Sequence, residues 1–216
     1  RFENKIAVLG QSTWEVLQGA KKVKAQWKDD GVLESTADYK KNLKDTLSKE
    51  SSEEPRRKDG DILTSFSSAA KIIELDFEAP FLAHNTMEPM NFFAHVKEDG
   101  AELYGPIQTP ERTRTRIAEL LKIPEEKIAI MMTRMGGGFG RRLMSDFVEE
   151  AATVSKLAGN VPVNVIWSRE SDMSGGFYRP MYSYKYKAAV DTNNKLIAWH
   201  HRSIGVGSAA ASGDSF

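Results

Sequence analysis

Apolar residues recur at helical spacing in two segments near the start of the chain. Ser12 begins the first segment, with Glu15 three residues later, which is the pattern of a capping box. Apolar positions continue at helical spacing as far as Trp27, and a weaker stripe follows over residues 35–50. An apolar run at residues 5–9 predicts a short buried strand before the first helix.

A charged stretch separates these helices from the rest of the chain. Residues 49–61 (KESSEEPRRKDGD) contain no large apolar side chain and mix both signs of charge. Such a composition is typical of a linker or an exposed loop. We therefore predict a domain boundary here, with one unit at residues 1–48 and a second at residues 62–216.

The second unit begins with a change of period from helix to strand. Strict alternation of apolar and acidic residues predicts a half-buried strand over residues 71–79. Residues 92–97 and 102–104 predict a hairpin, and residues 182–191 and 195–204 predict a longer one.

The intervening pattern alternates between helix and strand. We predict a helix at residues 110–121, a strand at 127–133, a helix at 147–157, a strand at 161–167 and a polar loop at 168–176. Residues 81–91 are irregular yet apolar, which indicates a buried segment of specific shape. The predicted fold class is α+β.

Composition narrows the class of protein. The chain has 216 residues, 40% of them hydrophobic and 28% charged, with zero net charge. These values suit one large or two small globular domains and indicate neither nucleic acid nor a membrane surface as partner. No apolar run approaches the roughly 20 residues of a membrane span.

The absence of cysteine excludes several kinds of site within this chain. Disulfides, thiolate metal sites, iron–sulfur ligation and a cysteine nucleophile all require that residue. The four histidines show no metal-ligand spacing, which favours structural roles for them. A cysteine-free chain suits cytosol and periplasm alike. Since the chain opens on Arg1 and closes on a small, polar run, we expect it to be a fragment of a longer polypeptide.

A glycine-rich loop at residues 136–140 is the main candidate for chemistry. It lies between a predicted strand and a predicted helix, where bare N–H groups can receive an anion. Arg141 and Arg142 at its exit add bidentate donors suited to phosphate or another planar anion. The alternative is a mobile glycine connection with solvated arginines. Phe139 is unusual between glycines, since its ring must be buried or must cover a ligand.

Other familiar signatures are missing. The chain contains no G-x-S-x-G, H-E-x-x-H or G-K-[ST] sequence, and the glycine run lacks the spacing of the dinucleotide fingerprint. Gln108, Arg169 and Arg179 remain as polar candidates near the predicted loops. The residues alone therefore indicate an anion site or a large-cofactor site and leave the cofactor open.

Four segments in order resemble the large subunit of the molybdenum hydroxylases, the xanthine dehydrogenase and aldehyde oxidase family. Within it, the similarity is greatest to the isoquinoline 1-oxidoreductase beta-subunit branch. The segments are His84-Asn85-Thr86-Met87-Glu88-Pro89-Met90, Gly136-Gly137-Gly138-Phe139-Gly140-Arg141-Arg142, Trp167-Ser168-Arg169-Glu170-Ser171-Asp172-Met173 and Phe177-Tyr178-Arg179-Pro180.

The resemblance implies an architecture and a cofactor. Residues 1–48 would be the C-terminal part of an a/b hammerhead-like domain, and residues 62–216 the N-terminal portion of a molybdopterin-binding domain. The family carries molybdenum on molybdopterin, in bacteria usually in the cytosine dinucleotide form. It oxidises aldehydes or aromatic N-heterocycles with oxygen derived from water. Iron–sulfur clusters on a small partner subunit then receive the electrons.

The resemblance also implies roles for single residues. Gln108 matches a catalytic glutamine that hydrogen-bonds the molybdenum oxo group, and Arg179 matches an arginine of the substrate pocket. Leu143 stands where xanthine-oxidising members carry a glutamate, which argues against purine as substrate. The cofactor-facing set would be Gly137, Gly138, Phe139, Gly140, Arg141 and Arg142, the two arginines being either structural or pterin-facing.

One family motif is missing from these 216 residues. The Gly-x-Gly-Glu sequence that carries the family's catalytic glutamate does not occur. We therefore expect the chain by itself to bind molybdopterin weakly and to be inactive. Two alternatives stay open: a non-catalytic domain that binds an anion or a protein through Arg141 and Arg142, and a pterin- or nucleotide-binding protein without redox chemistry.

Overall fold

The computed structural model describes residues 2, 5–28, 31, 34–51 and 54–207. Six α-helices occur in that part of the chain: α1 (Thr13–Ala20), α2 (Thr36–Ser48), α3 (Ile62–Ser67), α4 (Pro110–Leu121), α5 (Asp146–Leu157) and α6 (Arg169–Ser174). The strands are β1 (Lys71–Ala79), β2 (Leu82–Ala83), β3 (Asn91–Val96), β4 (Ala101–Gly105), β5 (Ile128–Met132), β6 (Val163–Ile166), β7 (Tyr178–Arg179), β8 (Tyr182–Val190) and β9 (Leu196–Gly205).

The main core lies beneath a four-stranded sheet of order β5-β4-β3-β6. The β4 and β5 strands are parallel and joined through α4, whereas β3 is antiparallel to both β4 and β6. Alternation along β3 turns Phe92 inward, where its ring meets the ring of Phe147 from α5 edge-on at 5.8 Å between centroids. Leu103 of β4 and Ile117 of α4 are fully buried in the same cluster.

A second sheet of order β1-β8-β9 is entirely antiparallel. Helix α2 packs against it, with Leu43 buried against Met181 and Val206. Helix α3 contacts β9. A short ribbon, β2 with β7, pairs Leu82 with Arg179 and lies beside the candidate site.

One face of the second sheet is apolar and exposed. The strand register places aromatic and aliphatic side chains on this face, which we call the aromatic sheet face: Ile73, Leu75, Phe77, Tyr184, Tyr186, Trp199 and His201. The rings of Tyr186 and His201 stack in parallel at 4.5 Å. The prediction of a half-buried β1 is wrong, since Leu75 and Phe77 are both 52% exposed. The strand lies at a sheet edge, and no described element covers its apolar row.

Two other local predictions are wrong. Residues 5–9 form no strand, and Lys5 forms an isolated bridge with Phe2. Helix α1 ends at Ala20 and not near Trp27. Its large apolar side chains find little to pack against, as Trp14 is 71% exposed. Short helices without tertiary packing are only marginally stable.

The polar loop predicted at residues 168–176 contains a helix instead. Ser168 caps α6 by accepting a hydrogen bond from the N–H of Ser171. Because α6 consists mostly of polar residues, it has no apolar periodicity by which the sequence could indicate a helix. The α+β class and both hairpins are confirmed. The domain boundary at residues 49–61 stays a prediction, as does the hammerhead-like assignment of residues 1–48.

Candidate functional site

The glycine-rich loop leaves β5 and reaches α5 through a tight turn at Arg141–Leu143. Gly137, Phe139 and Gly140 have φ angles of 104°, 52° and 95°, in the left-handed region. Phe139 adopts this conformation despite its Cβ, and its ring is 77% exposed. The helix predicted after the loop is α5, which begins at Asp146 after this turn.

Arg142 is the centre of the network behind the loop. Its side chain is fully buried, and its Nε donates to the carbonyl oxygen of Gly137 at 2.9 Å. Its Nη1 donates to Pro106 O at 3.2 Å, and its Nη2 to Glu88 O at 2.9 Å. Desolvation lowers the pKa of Arg142, and the Glu88 carboxylate acts in the opposite direction. The guanidinium therefore joins the end of β4, the glycine loop and residue 88 from within the protein.

Glu88 joins the same two loops from the other side. Its Oε2 accepts from the Gly136 N–H at 2.7 Å, and its own N–H donates to Gly136 O at 3.2 Å. Its Oε1 accepts from Asn91 Nδ2 at 2.9 Å. A Cβ on Gly136 would lie 2.6 Å from the Glu88 Cβ, so this close approach requires glycine.

A second arginine fixes the other end of residues 84–90. Arg169 Nη2 donates to the carbonyl oxygens of Thr86 and Met87 at 2.6 and 2.9 Å. Its Nη1 donates to Asn85 Oδ1 at 3.0 Å and to Asp172 Oδ2 at 2.9 Å. The Asp172 carboxylate is buried, which keeps this guanidinium in place.

The side chain of Arg141 also binds groups of the protein itself. It forms a two-pronged pair with Asp146, with N–O distances of 2.8 and 2.7 Å. Its guanidinium carbon lies 5.4–5.7 Å from the ring centroids of Phe147, Trp167 and Phe177. Of the interpretations left open by the sequence, a structural role for both arginines is the one that these contacts support.

Gln108 lies against the glycine loop. Its N–H donates to Arg142 O at 2.9 Å, and Thr109 Oγ1 donates to Leu143 O at 3.0 Å. The exposed side chain crosses Gly138, where an added Cβ would lie 2.6 Å from Gln108 Oε1. The carboxamide and the loop backbone therefore form one continuous surface.

Phe139 and Arg179 meet at a cavity of about 200 Å³. Arg179 is held by a hydrogen bond from its Nη2 to Pro80 O at 2.9 Å. The cavity is lined by Leu82, Ala83, His84, Phe139 and Arg179. Gln108 contacts Gly138, and Phe139 and Arg179 line the same cavity. The structure thus brings these residues, which the sequence had predicted, together on one side of the molecule.

His84 also lines this cavity, although the sequence favoured a structural role for it. It belongs to the first of the four segments that resemble the family, and this membership was the feature of the sequence that could have indicated it. Its Nδ1 lies 3.1 Å from Phe177 O, and its Nε2 faces the space beside Gly140.

The surface suits a flat, polar cofactor. Glycine backbone, an exposed carboxamide and an exposed ring are adjacent, and the Gln108 carboxamide occupies the space beside Gly138. Clusters of three or more histidine, aspartate or glutamate side chains able to hold a metal do not occur among the described residues. None of the described helices is long and apolar enough to cross a membrane.

The architecture is that of an α+β domain with a glycine-rich loop between β5 and α5. The sequence profile of the molybdopterin cofactor-binding domain matches residues 43–215, and the chain belongs to that family. The predicted resemblance is thereby confirmed.

Three curated relatives show the breadth of the family. The aldehyde oxidoreductase molybdenum-binding subunit PaoC of Escherichia coli K12 is 28% identical over 206 residues, which are 94% of this chain and 27% of the relative. The isoquinoline 1-oxidoreductase subunit beta of Brevundimonas diminuta is 29% identical over 133 residues, 61% of this chain and 17% of the relative. The membrane-bound aldehyde dehydrogenase [pyrroloquinoline-quinone] of Gluconacetobacter polyoxogenes is 29% identical over 138 residues, 64% and 18%.

Solved structures share the fold. Quinoline 2-oxidoreductase from Pseudomonas putida 86 superposes with a TM-score of 0.59 at 24% identity, covering 66% of this chain and 18% of that one. Aldehyde oxidoreductase from Desulfovibrio gigas gives 0.58 at 20% identity, covering 68% and 16%. The chain therefore spans about a quarter or less of the length of these proteins.

Proposed function

We propose that this chain forms one wall of a molybdopterin pocket in a larger oxidoreductase that oxidises an aldehyde or an aromatic N-heterocycle. The observation that carries the proposal is the contact of Gln108 with Gly138, next to the cavity shared by Phe139 and Arg179. Residues distant in sequence converge there around an open, backbone-rich surface.

Each residue has a distinct part in the proposed pocket. The carboxamide of Gln108 and the main chain of residues 137–140 face the cofactor. Arg141 and Arg142 stand behind this wall and hold its shape, since their side chains are buried and bound to protein acceptors. Arg179 presents its remaining N–H donors to the substrate. We propose the cytosine dinucleotide form of the cofactor.

The overall reaction balances with water as the oxygen source. An aldehyde and water give a carboxylic acid, two protons and two electrons, and a ring C–H is hydroxylated with the same balance. When bound, the cofactor's molybdenum would accept the electrons and deliver the oxygen. A partner subunit with iron–sulfur clusters would receive the electrons next; this chain itself has no cysteine with which to bind clusters.

The substrate is an aldehyde or a small heterocycle other than a purine. Leu143 is 43% exposed and offers no acceptor at the position where xanthine-oxidising relatives carry a glutamate. Leu82 and Phe139 give the cavity apolar walls. A flat, mostly apolar substrate with one acceptor for Arg179 fits this lining.

The test uses the complete gene product purified with its natural partners. Elemental analysis should find about one molybdenum per chain, and acid treatment should release cytidine monophosphate. Oxidation in ¹⁸O-labelled water should place the label in the product. A metal-free preparation that instead contains pyrroloquinoline quinone, as the name of one relative describes, would contradict the proposal.

The alternative of anion or protein binding through Arg141 and Arg142 has little support from the geometry. Arg141 is 3% exposed and Arg142 is fully buried, so a partner would have to displace their internal acceptors. Phosphate titration of the chain, followed by the chemical shifts of these guanidiniums, would reveal such binding if it occurs.

A further inference from the structure

The protonation pattern of His84 follows from one hydrogen bond. Its Nδ1 lies 3.1 Å from the carbonyl oxygen of Phe177. A carbonyl can only accept, so Nδ1 must carry the proton. In the neutral ring, Nε2 is then an acceptor with a free lone pair.

The free nitrogen faces the candidate site. Nε2 lies 3.7 Å from the position that a Cβ on Gly140 would take. Within the described part of the chain it has no hydrogen-bond partner, and His84 lines the same cavity as Phe139 and Arg179. The nearby backbone at Gly140 has φ of 95°, a conformation that keeps this space free of a side chain.

Polar groups of opposite character therefore line one small cavity. Arg179 can only donate, whereas neutral His84 can accept through Nε2. The register of β2 with β7 pairs Leu82 with Arg179 and so fixes both side chains on neighbouring backbone. The walls between them, Leu82 and Phe139, are apolar.

We infer that His84 is a specificity-determining residue, whose Nε2 accepts a hydrogen bond from an O–H or N–H group of an aromatic ligand in this cavity. The ligand class is a small aromatic molecule that carries a donor for His84 and a carbonyl or carboxylate for Arg179. The inference rests on the proposed function, because it places the substrate beside Phe139 and Arg179.

The experiment compares benzaldehyde with 3- and 4-hydroxybenzaldehyde in the purified holoenzyme. At least one hydroxylated aldehyde should exceed benzaldehyde in kcat/KM by about 3- to 10-fold, as one hydrogen bond allows. Calorimetric titration of the resting enzyme with benzoate and the matching hydroxybenzoate should show the same preference in Kd. Equal values for both pairs in the wild type would overturn the inference.

Two substitutions separate a binding role from a structural one. His84→Asn keeps a donor near Nδ1 for Phe177 O and removes the acceptor at Nε2, so it should fold normally and lose the preference. His84→Gln places an acceptor near Nε2 and should keep it. His95→Asn is the control, since His95 lies on β3 facing Glu102 and should leave the preference unchanged.

The outcomes distinguish the two proposals. An active molybdenum enzyme in which His84→Asn retains the full preference contradicts the role of His84 and leaves the proposed function standing. An enzyme without molybdenum or turnover contradicts the proposed function. The calorimetric comparison of benzoate with hydroxybenzoate needs no turnover, so it still decides whether His84 binds the donor.

Discussion

Arg142 donates from Nη2 to the carbonyl oxygen of Glu88 at 2.9 Å, and the same nitrogen lies 3.3 Å from the Glu88 carboxylate. The main chain and the side chain of one residue thus bind one buried cation. Because Glu88 also accepts from the N–H of Gly136, this pair connects residues 84–90 with the glycine loop. The shape of the proposed cofactor wall depends on this connection.

Arg142→Lys should lower the free energy of unfolding by about 3 kcal/mol, because a lysine cannot reach the separate carbonyls of Gly137, Pro106 and Glu88 and leaves buried acceptors unpaired. Urea unfolding followed by circular dichroism measures the change. Arg179→Lys is the matched control and should shift the midpoint little, since Arg179 is exposed. Equal stability of Arg142→Lys and the wild type would show that the network contributes nothing.

Gly138→Ala should reduce turnover of the complete enzyme by displacing the Gln108 carboxamide, since the new Cβ would lie 2.6 Å from Oε1. Gln108→Ala should reduce turnover as well, by about 10- to 100-fold, because it would remove the proposed hydrogen bond to the cofactor, worth about 1–3 kcal/mol. If both act through the same carboxamide, the double variant should be no slower than the slower single one. Multiplicative losses would separate the two residues, and thermal unfolding serves as the folding control.

Gly140→Ala should destabilise the chain by roughly 1–2 kcal/mol through backbone strain, because its φ of 95° is unfavourable for a residue with a Cβ. Steric overlap adds little, as the nearest atom to that Cβ would be 3.7 Å away. Gly159→Ala is a strain-matched control with φ of 89° and open space around it, remote from the site. We expect similar unfolding midpoints for both variants and a loss of activity for Gly140→Ala alone.

The ion pair between Lys40 of α2 and Glu78 of β1 should make the stability of the protein depend on pH. The Lys40 ammonium, hydrogen-bonded to the Glu78 carboxylate at 2.6 Å, lowers the pKa of Glu78. A carboxyl whose pKa falls on folding stabilises the folded state above its unfolded pKa, and this contribution disappears as the pH falls through the folded pKa. The stability difference between wild type and Glu78→Gln should therefore be present at pH 7 and disappear as the pH falls through the lowered pKa of Glu78. A difference that persists in acid would assign the effect to packing and not to the ion pair.

The isolated 216-residue chain should contain far less than one molybdenum per molecule after expression with cofactor biosynthesis intact. These residues lack the Gly-x-Gly-Glu sequence that the family resemblance associates with catalysis. Inductively coupled plasma mass spectrometry gives the metal content, and the complete gene product purified in parallel is the control. Stoichiometric metal with turnover in the isolated chain would contradict this prediction.

Local signals in the sequence were sufficient for much of the fold. Ser12 and Glu15 form the capping box that the spacing indicated. The strands β8 and β9 pair as the longer predicted hairpin. These features depend on neighbours in sequence, so periodicity and caps reveal them.

The predictions that were wrong concern features that depend on tertiary contacts. The apolar run at residues 5–9 has strand composition but pairs with no described strand. The alternation in β1 identifies its apolar row and not whether another layer covers it. Periodicity reports which side chains could be buried together, whereas burial itself requires a partner.

The sequence proposed members of the candidate site but not their arrangement, and it did not single out His84. The resemblance identified Gln108, Phe139 and Arg179, and the structure places them near one another; their roles stay predictions. Sequence alone could not distinguish solvated from buried arginines, since Arg141 and Arg142 look the same in either case. The acceptors of Arg142 are carbonyl groups, which carry no sequence signal of their own.

The hydrogen bonds to the backbone carbonyl oxygens of residues 86–89 affect which side chains of this segment can be exchanged. Arg169 and Arg142 together bind the carbonyl oxygens of residues 86–89, groups that every amino acid possesses. At position 87 the chain is held through the carbonyl oxygen, and the Met87 side chain is 89% exposed. Position 87 is consequently a natural choice for saturation libraries or for a spectroscopic label beside the site, because its side chain can be exchanged while the backbone keeps its course.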